Sequence, residues 1–148
     1  MSGAERMLQN QKNGTSSPKV KKLDPDINGM AGEIAVAKYF NRYPDFTVGP
    51  HRRGYDLVVA GRKVDVKTTT YQRGFLQVKA HKKIEDADVY VLVYASIPEY
   101  VIVGGAHSHE LIQQQNIKDT GYGPYYTFEH SQLKSMEELW RNKYAQPQ

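Results

Sequence analysis

The sequence predicts one α/β or α+β domain: a mixed central β-sheet flanked by helices. Three observations carry that expectation. The run from Asp88 to Ala95 is almost continuously apolar, as in a central strand buried on both faces. The stretch from Tyr55 to Lys67 alternates with the period of two that marks a strand, turning at Gly61. Helical spacing brackets these strands at 28–42 and again near 131–140. With 148 residues, 39% hydrophobic and 24% charged, the chain is long enough to bury one core without staples.

Several classes drop out at once. There is no cysteine, so disulfides and thiolate metal sites are excluded. No apolar run approaches the roughly 18 residues of a membrane span, and no apolar leader opens the chain, so the expectation is a cytoplasmic protein with no membrane partner. Gly104-Gly105 lacks the context of a dinucleotide fingerprint, and no Walker A motif is present, so no nucleotide cofactor is expected.

Residues 1–22 are rich in Gln, Asn, Gly, Ser and Lys with no apolar periodicity, and read as a disordered basic arm ahead of a single domain at 23–148. The arm either lends salt-dependent affinity for a polyanion or serves solubility alone. After the Asp24-Pro25-Asp26 turn, Met30, Ile34, Ala37 and Asn41 follow helical spacing, with Phe40 beside them. Glu33 lies on that side. It either aims along the apolar face, where it needs a cation, a donor or water, or reaches solvent at the margin. Gly32 would let this helix approach another backbone closely. Phe46 to Val48 is a short strand, and His51-Arg52-Arg53-Gly54 a basic loop.

Beyond Lys67, three threonines prolong the second hairpin strand, and Phe75 to Lys79 alternates again. Ala80 to Ala87 is a short helix or turn. Glu99 to Val103 pairs antiparallel with the central strand across Ser96-Ile97-Pro98. His107 to Gln115 is a modest helix, Tyr125 to Phe128 an edge strand, and Ser131 the N-cap of a closing helix carrying Leu133, Met136, Leu139 and Trp140.

The net charge of +4 is segregated. Residues 51–83 hold nine Lys/Arg against Asp56 and Asp65, while 84–148 is acidic overall. Arg52, Arg53, Arg73, Lys79, Lys82 and Lys83 therefore gather near two acids on a hairpin that should have been core. A polyanion such as DNA is the natural partner, with guanidinium groups gripping phosphates. A merely solvated charged face is the alternative.

Asp65 and Lys67 share one face of their strand, opposite Val64 and Val66. Glu33, Asp56 and Asp65 are hard oxygen donors that suit Mg²⁺ or Mn²⁺. Lys67 beside them could orient or help deprotonate a water, or offset charge on a phosphoryl transition state. The chemistry such a set fits is metal-assisted phosphodiester hydrolysis.

Gly32-Glu33 on the first helix, Tyr55-Asp56, and Asp65-Val66-Lys67 together resemble the PD-(D/E)XK nuclease superfamily, over roughly residues 28–95. The resemblance implies a restriction-endonuclease-like αβββαβ core. It implies metal held by Asp56 and Asp65 with help from Glu33 and the Val66 carbonyl, and a catalytic Lys67. Gln77 falls where some members carry a further polar residue. Tyr55 stands where the motif has proline. The implied activity is a Mg²⁺-dependent deoxyribonuclease, an endonuclease before an exonuclease, with a homodimer as the expected route to cutting two strands. A catalytically silent nucleic-acid-binding module on the same fold, with Asp56, Asp65 and Lys67 as an ion cluster, is the competing expectation. A protein that binds only protein partners is the more distant one. His107-Ser108-His109-Glu110 lacks the i,i+4 pairing of a zinc helix and reads as a helix start. Tyr122, Tyr125 and Tyr126 either stack on bases or pack on the last helix.

Overall fold

The computed structural model describes residues 25–41, 48–50, 55–119 and 121–145. The expected basic arm at 1–22 and the loop holding His51, Arg52 and Arg53 lie outside them.

The hairpin forms as the alternation demands. Strands β2 (Leu57–Val59) and β3 (Arg62–Thr69) pair antiparallel, Val59 opposite Arg62. Only Ala60 and Gly61 lie between them, with φ of 51° and 81°, the two left-handed positions of a type I′ turn. β1 (Val48–Pro50) adds to the outer side of β2. On the other side β3 runs parallel to β5 (Val89–Ser96), and β5 pairs antiparallel with β6 (Glu99–His107). The result is a five-stranded mixed sheet in the order β1-β2-β3-β5-β6. The apolar run of β5 thus lies inside the sheet, with every residue from Val89 to Val93 buried.

β4 (Leu76–Lys79) leaves this sheet and pairs with β8 (Pro124–Phe128), which also pairs with β7 (Ile117–Asp119). This second, three-stranded sheet was not expected from the sequence. Where an αβββαβ order places a helix between the third and fourth strands, the chain carries β4 and one 3₁₀ turn at Ile84–Asp86.

Alternation on β3 and β5 divides the core in two. Val64, Val66, Val89, Val91 and Val93 pack against helix α1 (Pro25–Phe40) and the closing helix, through Val36, Phe40, Met136, Leu139 and Trp140. Tyr90 and Leu92 face the other way, toward Leu76 and Val78 of the second sheet. The molecule is therefore layered: helices, five-stranded sheet, small sheet.

α1 buries a different stripe from the one its apolar residues suggest. Met30 and Ile34 are 60% and 53% exposed, whereas Asn28, Gly32, Val36 and Phe40, spaced by four, are buried. Gly32 explains the choice: a Cβ there would collide with Thr68 Oγ1 on β3. The helix seats by its smallest side, and Asn28 is satisfied by the Tyr100 hydroxyl, which donates to its Oδ1 at 3.1 Å.

The C-terminal third also differs from expectation. β6 runs on to His107, so α2 is one turn, Ser108–Leu111, followed by a 3₁₀ turn at Gln114–Asn116. Ser131 lies in another 3₁₀ turn, His130–Gln132, and does not cap the closing helix. That helix, α3, spans Met136–Ala145. Ser135 caps it instead: Ser135 Oγ accepts from the Glu138 N–H at 3.1 Å, while Glu138 Oε1 accepts from the Ser135 N–H at 3.2 Å.

Candidate active site

Asp56 sits where β2–β3 pairing ends. Its N–H donates to the Val64 carbonyl at 2.9 Å, and its Oδ2 accepts from the Val66 N–H at 2.8 Å. A side chain thus replaces the next rung of the ladder, and the carboxylate is fixed against the middle of β3.

Asp65 follows Val64 on the opposite face of β3 and is only 4% exposed. Lys67, two residues on, returns to that face, with its Nζ 3.5 Å from Asp65 Oδ2. Burial penalises the charged form of Asp65; the Lys67 and Lys82 ammoniums favour it; the hydrogen bond to Asp56 and its like charge oppose it. The balance leaves the Asp65 carboxyl pushed up to about 7.

Glu33 reaches the same cluster from α1. Burial raises its carboxyl above the ordinary range, and the charge of Asp56 and a hydrogen bond to it add to the rise. The acids therefore form a chain with Asp56 in the middle, touching Glu33 on one side and Asp65 on the other. Gly32 makes this possible, because it lets the helix come down on Thr68, one residue before Glu33.

These contacts are pairwise. Among the described residues, no group of three or more His, Asp or Glu side chains converges as a finished metal cage. The donor set nevertheless suits a hard divalent cation: carboxylates with too little positive charge between them, one held half-protonated near neutral pH. A fully buried, uncharged phenol stands on the neighbouring strand. Tyr90, opposite Asp65 in the β3–β5 register, has its hydroxyl without a partner, and burial and the Asp65 and Asp86 charges hold its proton on.

A cleft of about 580 Å³ opens beside Lys67. Gln77 lines it, as does Arg73, so both residues singled out in the sequence share a cleft with Lys67. Lys82 acts on Asp65 by charge, nearer the acids than a peripheral phosphate contact. Lys79 and Lys83 are exposed. Arg52 and Arg53 lie outside the described residues.

Sequence reasoning did not find Tyr71 and Phe75, which line the cleft with Tyr125. Two aromatics flanking Arg73-Gly74 just past the Lys67 strand were the available signal. His107 and His109 stack on each other at 5.4 Å; burial lowers the His107 pKa, with the Arg62 and Lys134 charges adding to it and Glu110 opposing. Comparison with family models, curated proteins and solved structures finds no match to the chain, so the site has its own chemistry alone to speak for it.

Proposed function

We propose that this protein is a divalent-metal-dependent nuclease of the PD-(D/E)XK kind, hydrolysing phosphodiester bonds in DNA. The observation that carries the reading is Asp65: a carboxylate almost wholly buried, crowded by Asp56, with one lysine 3.5 Å away. A fold does not keep such a group for stability, because burying under-compensated charge is unfavourable. A cation at that point resolves the conflict.

Asp56 and Asp65 would hold the ion, with Glu33 as a helper reached through Asp56 and the Val66 backbone carbonyl completing the set. When bound there, Mg²⁺ or Mn²⁺ supplies Lewis-acid activation of the phosphodiester. Asp56 is held for its part by the Val66 N–H. Lys67 orients the attacking water and sets positive charge beside the phosphoryl oxygens as negative charge builds on them. Arg73, Lys79, Lys82 and Lys83 draw the polyanion toward the acids.

One observation favours the rival, a silent nucleic-acid-binding module: Asp65 and Lys67 already pair, and among the described residues no three ligands converge. A cleavage panel separates the two. With Mg²⁺ or Mn²⁺ the protein cuts at least one of linear, nicked, flapped or four-way DNA, and Asp65→Ala abolishes cutting with the fold intact. A parent that binds these substrates and cuts none of them supports the silent module.

A further inference from the structure

The cleft beside Lys67 carries chemistry that phosphodiester hydrolysis alone does not need. Its volume, about 580 Å³, lies in the range of small-ligand sites. Tyr71 and Phe75 line it yet remain 70% and 46% exposed, and Leu92 lines it from the buried core. Lys67 and Arg73 supply its charge, Gln77 an amide, and no carboxylate among the described residues lines it.

The backbone that carries the aromatic wall is set in place before any ligand arrives. The Tyr71 N–H donates to Thr69 Oγ1 at 3.1 Å, and the Gly74 N–H closes a turn on the Tyr71 carbonyl at 3.0 Å. Gly74 lies so close to the Thr69 side chain that a Cβ would not fit. The loop is thereby tied to the strand that carries Asp65 and Lys67.

Aromatic faces, cations and an amide around one nucleotide-sized space match a nucleobase with its phosphate. A duplex grips such a protein through phosphates and keeps its base faces stacked on neighbours, leaving Tyr71 and Phe75 nothing to cover. We propose that the cleft holds an unpaired nucleobase next to the phosphate engaged at Asp65 and Lys67. The substrate class is then nucleic acid with a single-stranded segment: a free strand, flap or fork. This deepens the nuclease reading and rests on it.

The test is fluorescence anisotropy of the full chain with a short labelled oligothymidine and with a blunt duplex, in EDTA so that nothing is cut. The parent is expected to prefer oligothymidine. Tyr71→Ala and Phe75→Ala should each weaken oligothymidine binding about tenfold and leave duplex binding unchanged. Phe75→Trp should keep the affinity, with its indole emission quenched by the strand. Alanine variants that bind oligothymidine like the parent, or that lose duplex binding equally, overturn the proposal. So does a poly-glutamate peptide that displaces oligothymidine and shows the same dependence on Tyr71 and Phe75. Because binding is read without metal, aromatic variants that change nothing in a protein that cuts DNA remove the cleft and leave the nuclease. The expected binding pattern in a protein that never cuts leaves the cleft and removes the nuclease.

Discussion

Replacing Asp65 by asparagine should stabilise the metal-free protein at neutral and higher pH. The carboxyl rises from its ordinary 3.8 to about 7 in the fold. Each pKa unit is worth about 1.4 kcal/mol, so ionising Asp65 in the folded state opposes folding by about 4 kcal/mol. The folded state holds the proton more tightly than the unfolded chain. The stability linked to that proton is therefore fully present below pH 3.8, declines as pH rises, and is gone above about 7. Asparagine carries no charge and can donate to the Asp56 carboxylate, and the attraction to Lys67 that it gives up is already included in the position of the carboxyl. The net gain at pH 8 is then about 4 kcal/mol, shrinking toward zero below about pH 4. Glu33, also raised, is present in both proteins and cancels from the difference. Urea denaturation in EDTA at a series of pH values measures it. A parent–variant difference that is flat with pH, or an asparagine variant less stable than the parent at pH 8, refutes the reasoning. With Mn²⁺ the order should reverse, because only the parent gains stability from binding the ion.

Three further outcomes follow from the same geometry. Ala60 sits at φ 51°, where asparagine is better tolerated, so Ala60→Asn should raise stability by about 0.5–1 kcal/mol, read by thermal melting. Gly32→Ala places a methyl against Thr68 Oγ1 and should destabilise by about 1–3 kcal/mol; adding Thr68→Ala should restore most of the loss, whereas purely additive effects in the double-mutant cycle would place the clash elsewhere. Tyr90→Phe removes a buried hydroxyl that has no partner and should be neutral or stabilising by about 1 kcal/mol; a loss beyond that would mean the hydroxyl is satisfied in solution.

What the sequence made legible was what strand alternation controls. Asp65 and Lys67 share a face, Val64 and Val66 take the other, and the apolar run of β5 is central. The α1 stripe was not legible, because burial there follows backbone proximity: Gly32 and Asn28 go in while Met30 and Ile34 stay out. β4 and β8 form four- and five-residue strands, and their pairing with each other across about fifty residues leaves no local trace. The cleft escaped for the same reason, since Phe75 and Tyr125 meet Lys67 only once two sheets are assembled. The cap at Ser135 was readable as Ser-x-x-Glu and competed with Ser131, which also precedes an apolar pattern.

The most direct measurement is cleavage of a flapped DNA at saturating Mn²⁺ by the parent, Asp65→Asn and Lys67→Met, with Mn²⁺ binding followed by calorimetry on the same samples. The account predicts that the parent binds the ion and cuts, that Asp65→Asn does neither, and that Lys67→Met binds the ion but cuts at least about a hundredfold more slowly. Cutting by Asp65→Asn at the parent's rate, or a parent that binds no Mn²⁺, contradicts it.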